Sequence, residues 1–96
     1  MGHAVSAKAV AAAGVILAER TVLAGLSIRN THATNTGVFR IYDNATAATG
    51  TILYAVSLVA GATSSFEFPG TGVQAINGLF LDITNSATVE GSVHID

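Results

Sequence analysis

Cysteine and tryptophan are absent from the 96 residues, proline occurs once, and only 10% of the residues are charged. Without cysteine the chain has no disulfide scaffold, no thiolate zinc site and no thiol nucleophile, so the fold must hold by packing. Four Lys plus Arg stand against six Asp plus Glu, a net charge of -2. That balance leaves no electrostatic footprint for DNA, RNA or an anionic membrane, and neither a nucleic acid nor a membrane is expected as a partner. No run reaches the roughly 18 apolar residues that a bilayer-spanning helix needs. The stretch MGHAVSAKAVAAAGVILA places Lys8 before an apolar run, Ala9 to Ala18, as a secretory leader would. A single lysine and the interruption at Gly14 argue against that reading, and a soluble protein is expected.

What the chain does have is small and neutral. Half of its residues are hydrophobic, although aromatics make up only 6%. Since charged residues usually supply about a quarter of a globular chain, much of this surface must be Ala, Thr, Ser, Gly and Asn. Such a surface suits close subunit packing better than the dispersal of a small free monomer. An oligomer is the expectation.

The pattern is that of strands. From Gly14 onward, short alternating runs are separated by polar turns: Thr21 to Asn30, Gly37 to Asp43, Thr51 to Val59, Leu79 to Thr84 and Thr88 to Asp96, with shorter runs between them. The turns are THATNT, NATAATG, Ala60-Gly61, PGTG and Asn77-Gly78. This predicts an all-β domain over residues 14–96, an antiparallel β-sandwich or jelly roll of about eight short strands. Residues 1–13 carry little bulk and read as an Ala-rich N-terminal arm, helical or extended, that docks on a neighbour. Val5, Lys8 and Val10 are its candidate contacts with that neighbour.

The run TILYAVSLV is apolar on both faces of a strand. If Asn30 faces Gly37 across one loop, and Ala60-Gly61 forms a tight hairpin, Ile28 pairs with Phe39 and Ala55 with Phe66. In that register Ala24, Leu26 and Ile28 share a face with Val22. Ile52, Tyr54, Val56 and Leu58 then form a surplus apolar face, the candidate oligomer interface.

Candidates for chemistry are few. Glu90, His94 and Asp96 share one strand face, but neighbours on such a face lie nearly 7 Å apart, and a solvated strand explains them. His32 sits in a polar loop and reads as a turn residue, and His3 lies in the arm. Asp43-Asn44 reads as a turn former, because a calcium site needs more carboxylates. The glycines of PGTG lack the Lys-Ser/Thr and helix of a phosphate cradle, and Asn44-Ala45-Thr46 matches a glycosylation acceptor without a secretory signal. No catalytic group, metal site or cofactor is expected, and the chain reads as no enzyme. Tyr42 and Tyr54 are the only rings suited to a sugar platform.

From about Leu23 to Ile95 the segments LAGLSIRNT, VFRIYDNATAATGTILYAVSLVAGAT and FEFPGTGVQAINGLFLDIT, with the closing alternating strand, resemble small β-sandwich virion proteins of tailed bacteriophages. Proteins of that kind carry a similar succession, YDN…ASG…L…AG…FPG…NGLFL. The resemblance implies a head decoration or cement protein on the capsid exterior, commonly a homotrimer, with the major capsid protein as its partner. Other proteins of this kind serve fibres, spikes or tails, so a receptor- or glycan-binding module is the alternative.

Overall fold

The computed structural model describes residues 6–96, which form nine strands and, among the described residues, no helix. In chain order they are β1 (Ser6–Val10), β2 (Gly14–Leu17), β3 (Thr21–Asn30), β4 (Gly37–Tyr42), β5 (Ile52–Leu58), β6 (Thr63–Glu67), β7 (Val73–Ala75), β8 (Leu79–Ile83) and β9 (Val89–Ile95). Two antiparallel sheets result. Sheet A has the order β1-β9-β3-β6, with β7 continuing along the same side of β3 as β6, and sheet B has the order β2-β8-β4-β5. Taking β6 and β7 as one interrupted strand, this interleaving is the jelly roll, two four-stranded sheets built from paired Greek keys.

Alternation decides what lies between the sheets. Leu23, Leu26, Ile28 and Val93 of sheet A are buried against Phe39, Ile41, Leu79 and Leu81 of sheet B, each at most 2% exposed. Leu79, Leu81 and Ile83 point inward while Phe80 and Asp82 point out, as their spacing predicts. On β9, Val89 and Val93 are likewise buried, and Glu90 is exposed.

The pairing differs from the sequence expectation. Every connection except β4–β5 and β6–β7 crosses from one sheet to the other. Thus β3 and β4 do not pair: Ile28 and Phe39 line the same core from opposite sheets. Nor does Ala60-Gly61 close a hairpin. Its turn bond, from the Ala62 N–H to the Val59 carbonyl at 3.0 Å, lifts the chain from β5 in sheet B to β6 in sheet A.

Two bulges account for the faces that sequence parity misplaces. Between Leu23 and Gly25, β3 spends an extra residue against β9, so Leu23 joins Leu26 and Ile28 inside, while Val22 and Ala24 are half-buried. On β5, Ile41 pairs with Tyr54 but Tyr42 with Ile52, leaving Leu53 as the extra residue. Tyr54, Val56 and Leu58 therefore turn into the sandwich, and Ile52 alone of the expected surplus set lies outside.

The described part of the Ala-rich segment does not reach away from the domain. Ser6–Val10 pairs with β9 as the edge strand of sheet A, and Val10 is 5% exposed, inside the core. Backbone pairing overrides the low strand propensity of alanine. Lys8 is exposed, and Val5 lies outside the described residues.

Candidate functional site

The two outer faces of the sandwich differ in chemistry. On sheet B one row crosses all four strands: Val15, Phe80, Tyr42 and Ile52 are successive register partners. All four are apolar or aromatic, and the outer two, Val15 and Ile52, are 51% and 47% exposed. The next row holds Asp82, Arg40 and Ala55. Asp82 and Arg40 stand side by side with opposite charges, yet among the described residues neither makes an ion pair or a side-chain hydrogen bond. Beyond them lie Val38 and Ser57, with Thr84 Oγ1 accepting from the Val38 N–H at 2.9 Å.

The outer face of sheet A is polar, and its side chains satisfy one another. Arg29 and Glu90 form an ion pair at 3.1 Å. In the next row Ser65 donates to Ser27 Oγ at 2.9 Å, and Ser92 is the register partner of Ser27 on β9. In the third, Glu67 Oε2 lies 2.8 Å from His94 Nδ1, reaching from β6 to β9 across β3. That reach depends on Gly25, because a Cβ there would collide with the Glu67 carboxylate. The expected neighbours Glu90, His94 and Asp96 are thus drawn apart, the first two to partners on other strands, and no group of three metal-ligating side chains occurs among the described residues.

Ser92 Oγ lies 3.4 Å from His94 Nε2, so Ser92, His94 and Glu67 stand in the order of an acyl-transfer relay. The setting does not complete it. The three groups lie on an open face, and β9 is paired on both sides, so ladder bonds engage the N–H groups that would steady an oxyanion. A shallow depression of about 340 Å³ borders this face, lined by Arg29, Glu90, Thr63 and Ser27 among others, and no aromatic ring lines it.

The tyrosines separate. Tyr42 belongs to the apolar outer row, whereas Tyr54 lies at the flank between β5 and β6, its hydroxyl 2.7 Å from Ser64 Oγ. Its ring stacks on Phe66 at 5.7 Å and meets Phe68 edge-on at 6.4 Å. Tyr54 is therefore a packing residue and not an exposed platform for a sugar.

The loop residues act as turn formers. His32 Nδ1 accepts from the N–H groups of Thr34 and Asn35, at 3.1 and 2.9 Å. Asn44 Oδ1 accepts from Thr46 and Ala47. Asp43 accepts the N–H groups of Asn77 and Ile76, at 2.8 and 3.1 Å, and these bonds, that of Asn77 foremost, hold its carboxyl below the usual value against the opposing effect of burial.

Asn30 is not singled out by its pattern, because it closes a strand before a polar loop. It is wholly buried. Its Nδ2 donates to the carbonyls of Asn35 and Leu58, at 2.8 and 2.9 Å, and its Oδ1 accepts from the His32 N–H at 3.0 Å.

Comparison with protein-family models, curated proteins and solved structures gives no match for this chain. Fold and faces define a class: a small jelly-roll domain with one polar, internally satisfied outer face and one apolar outer face carrying two opposite charges that are unpaired among the described residues.

Proposed function

We propose that the chain is a virion structural protein, a decoration or cement protein that binds as an oligomer to the exterior of a tailed-phage head. The observation that carries this reading is the contrast between the outer faces: water suits sheet A, and sheet B offers an uncharged apolar row that a lone domain gains nothing by exposing. Jelly rolls serve viral capsids and lectins alike, so the fold does not choose between them. The choice rests on the face chemistry together with the sequence resemblance.

The mechanism is binding energy alone. Each copy buries neutral surface across neighbouring capsid subunits, and a shell clamped at many points must lose many contacts together before it opens. Lys8, exposed on the free edge of β1, remains available for contact with the capsid, whereas Val10 serves the domain's own core.

The test is immunogold labelling of purified phage particles with an antibody against the domain. Label distributed over the heads is the expected result. Particles without label would overturn the reading, and label confined to fibres or tail tips would favour the receptor-binding alternative. For that alternative Tyr42, the outward tyrosine, is the ring to replace in a glycan-array experiment.

A further inference from the structure

From the order of strands in sheet B we infer that its outer face packs against the same face of a second copy, about a two-fold axis parallel to the strands and lying over the gap between β8 and β4. The sheet order β2-β8-β4-β5 is balanced about that gap. A rotation about such an axis keeps each row at its own height and exchanges left for right. It therefore sets β8 over the partner's β4, and β2 over the partner's β5.

The side chains fit this operation row by row. In the apolar row, Phe80 faces the partner's Tyr42 and Val15 faces the partner's Ile52, and each contact occurs twice, as an isologous interface requires. In the next row, Arg40 faces the partner's Asp82 and Asp82 faces the partner's Arg40. The two charges that find no ion pair among the described residues thus each gain one across the axis. On the outer face of sheet A the described charges are already paired, Arg29 with Glu90 and His94 with Glu67.

Sheets of this kind pack about 10 Å apart with strands within about 30° of each other. The strands nearest the axis, β8 and β4, stay matched despite the twist, and they carry Phe80, Asp82, Tyr42 and Arg40. A two-fold pair takes the place of the three-fold assembly implied by the resemblance.

Charge reversal tests the axis directly. Arg40→Asp sets a new carboxylate against the partner's Asp82 at both sites of the pair, and Asp82→Arg sets a new guanidinium against the partner's Arg40. Sedimentation equilibrium should show the unaltered protein at twice the chain mass and each single variant weakened in self-association by at least ~100-fold. A one-to-one mixture of the two variants should regain the dimer, because each then meets its complement. Rescue in trans cannot come from effects inside one chain. Far-UV circular dichroism confirms that each variant is folded, and Ile52→Lys, at a half-exposed edge position, gives an independent disruption if either reversal fails to fold.

An unaltered protein that sediments as a monomer or trimer would overturn the inference, as would single variants that remain dimeric or a mixture of folded variants that stays monomeric. The inference rests on the face and not on a virion location. Its failure would therefore leave the labelling of phage particles to decide the function by itself.

Discussion

Replacing Asn30 with alanine removes a junction. The side chain ties the β3–β4 loop, through Asn35 and His32, to the last carbonyl of β5 at Leu58. Each bond contributes on the order of 1 kcal/mol, and the Leu58 carbonyl, facing a buried bond, is left without that partner. The loss should total about 3 kcal/mol, a large share of the roughly 5–15 kcal/mol that typically holds a domain together. At roughly 4–8 °C per kcal/mol for a chain of this size, Tm should fall by about 15 °C. Urea unfolding followed by far-UV circular dichroism measures this, with Asn35→Ala as the control, since the side-chain bond from Asn35 to the Asn85 carbonyl is exposed. A loss below ~1 kcal/mol, or one equal to that of the control, would refute the junction.

Asn30→Asp adds a test of direction. An ionised carboxylate would face the carbonyl oxygens of Asn35 and Leu58, whereas the neutral acid can still donate to one of them. Its pKa in the folded state should therefore be raised above the ~3.9 of an unfolded aspartate. The stability conferred by the neutral form is then fully present below that unfolded value and is lost as pH rises through the folded one. The variant should come closest to the original protein in acid and depart from it at neutral pH.

Further outcomes follow from single positions. Gly91 has a φ of 139°, and a Cβ there would meet the Ser27 carbonyl; Gly91→Ala should lower stability by several times the effect of Gly25→Ala, whose Cβ displaces only the flexible Glu67, as denaturation midpoints will show. Phe39→Ala, at a position 0% exposed, should cost about 3–5 kcal/mol in urea unfolding. Tyr54→Phe removes the bond to Ser64 and should cost roughly 1 kcal/mol without changing the circular dichroism spectrum. Asp43 has a folded pKa depressed by the Asn77, Ile76 and Gly78 N–H groups, so it stabilises the fold above its unfolded value and loses that effect as pH falls through the folded one. Asp43→Asn should make the acid limb of a stability–pH curve shallower.

Strand existence was legible because β8 and β9 alternate without interruption and the turns are rich in Gly, Asn and Thr. Which strand pairs with which was not. Ile28 and Phe39 belong to the same core whether they sit side by side or on opposite sheets, so a consistent register could be written for a hairpin that does not form. The bulges at Ala24 and Leu53 are single-residue insertions that reverse parity; Gly25 beside Ala24 is the one sequence sign of the first, and no composition signal marks the second. Hence Tyr54, Val56 and Leu58 read as surplus although Leu58 lies in the core and Tyr54 and Val56 pack against it, while the apolar outer row draws on four strands. Only Ile52 belongs to both. Asn30 escaped notice because buried and solvated asparagines look alike at a strand end.

The position of β9 has a consequence for synthesis. Val89–Ile95 lies between β1 and β3, so these seven residues complete the middle of sheet A. Until the ribosome has delivered them, β1 has no partner, and β3 carries Leu26 and Ile28 with one side unpaired. Among the described strands only β4 and β5 make a local hairpin, and the remaining pairings join distant parts of the chain, a topology that folds over milliseconds to seconds. The nascent chain must therefore wait, with its apolar strands exposed, for nearly the whole domain to be made. Any chaperone contact or aggregation hazard falls within that interval.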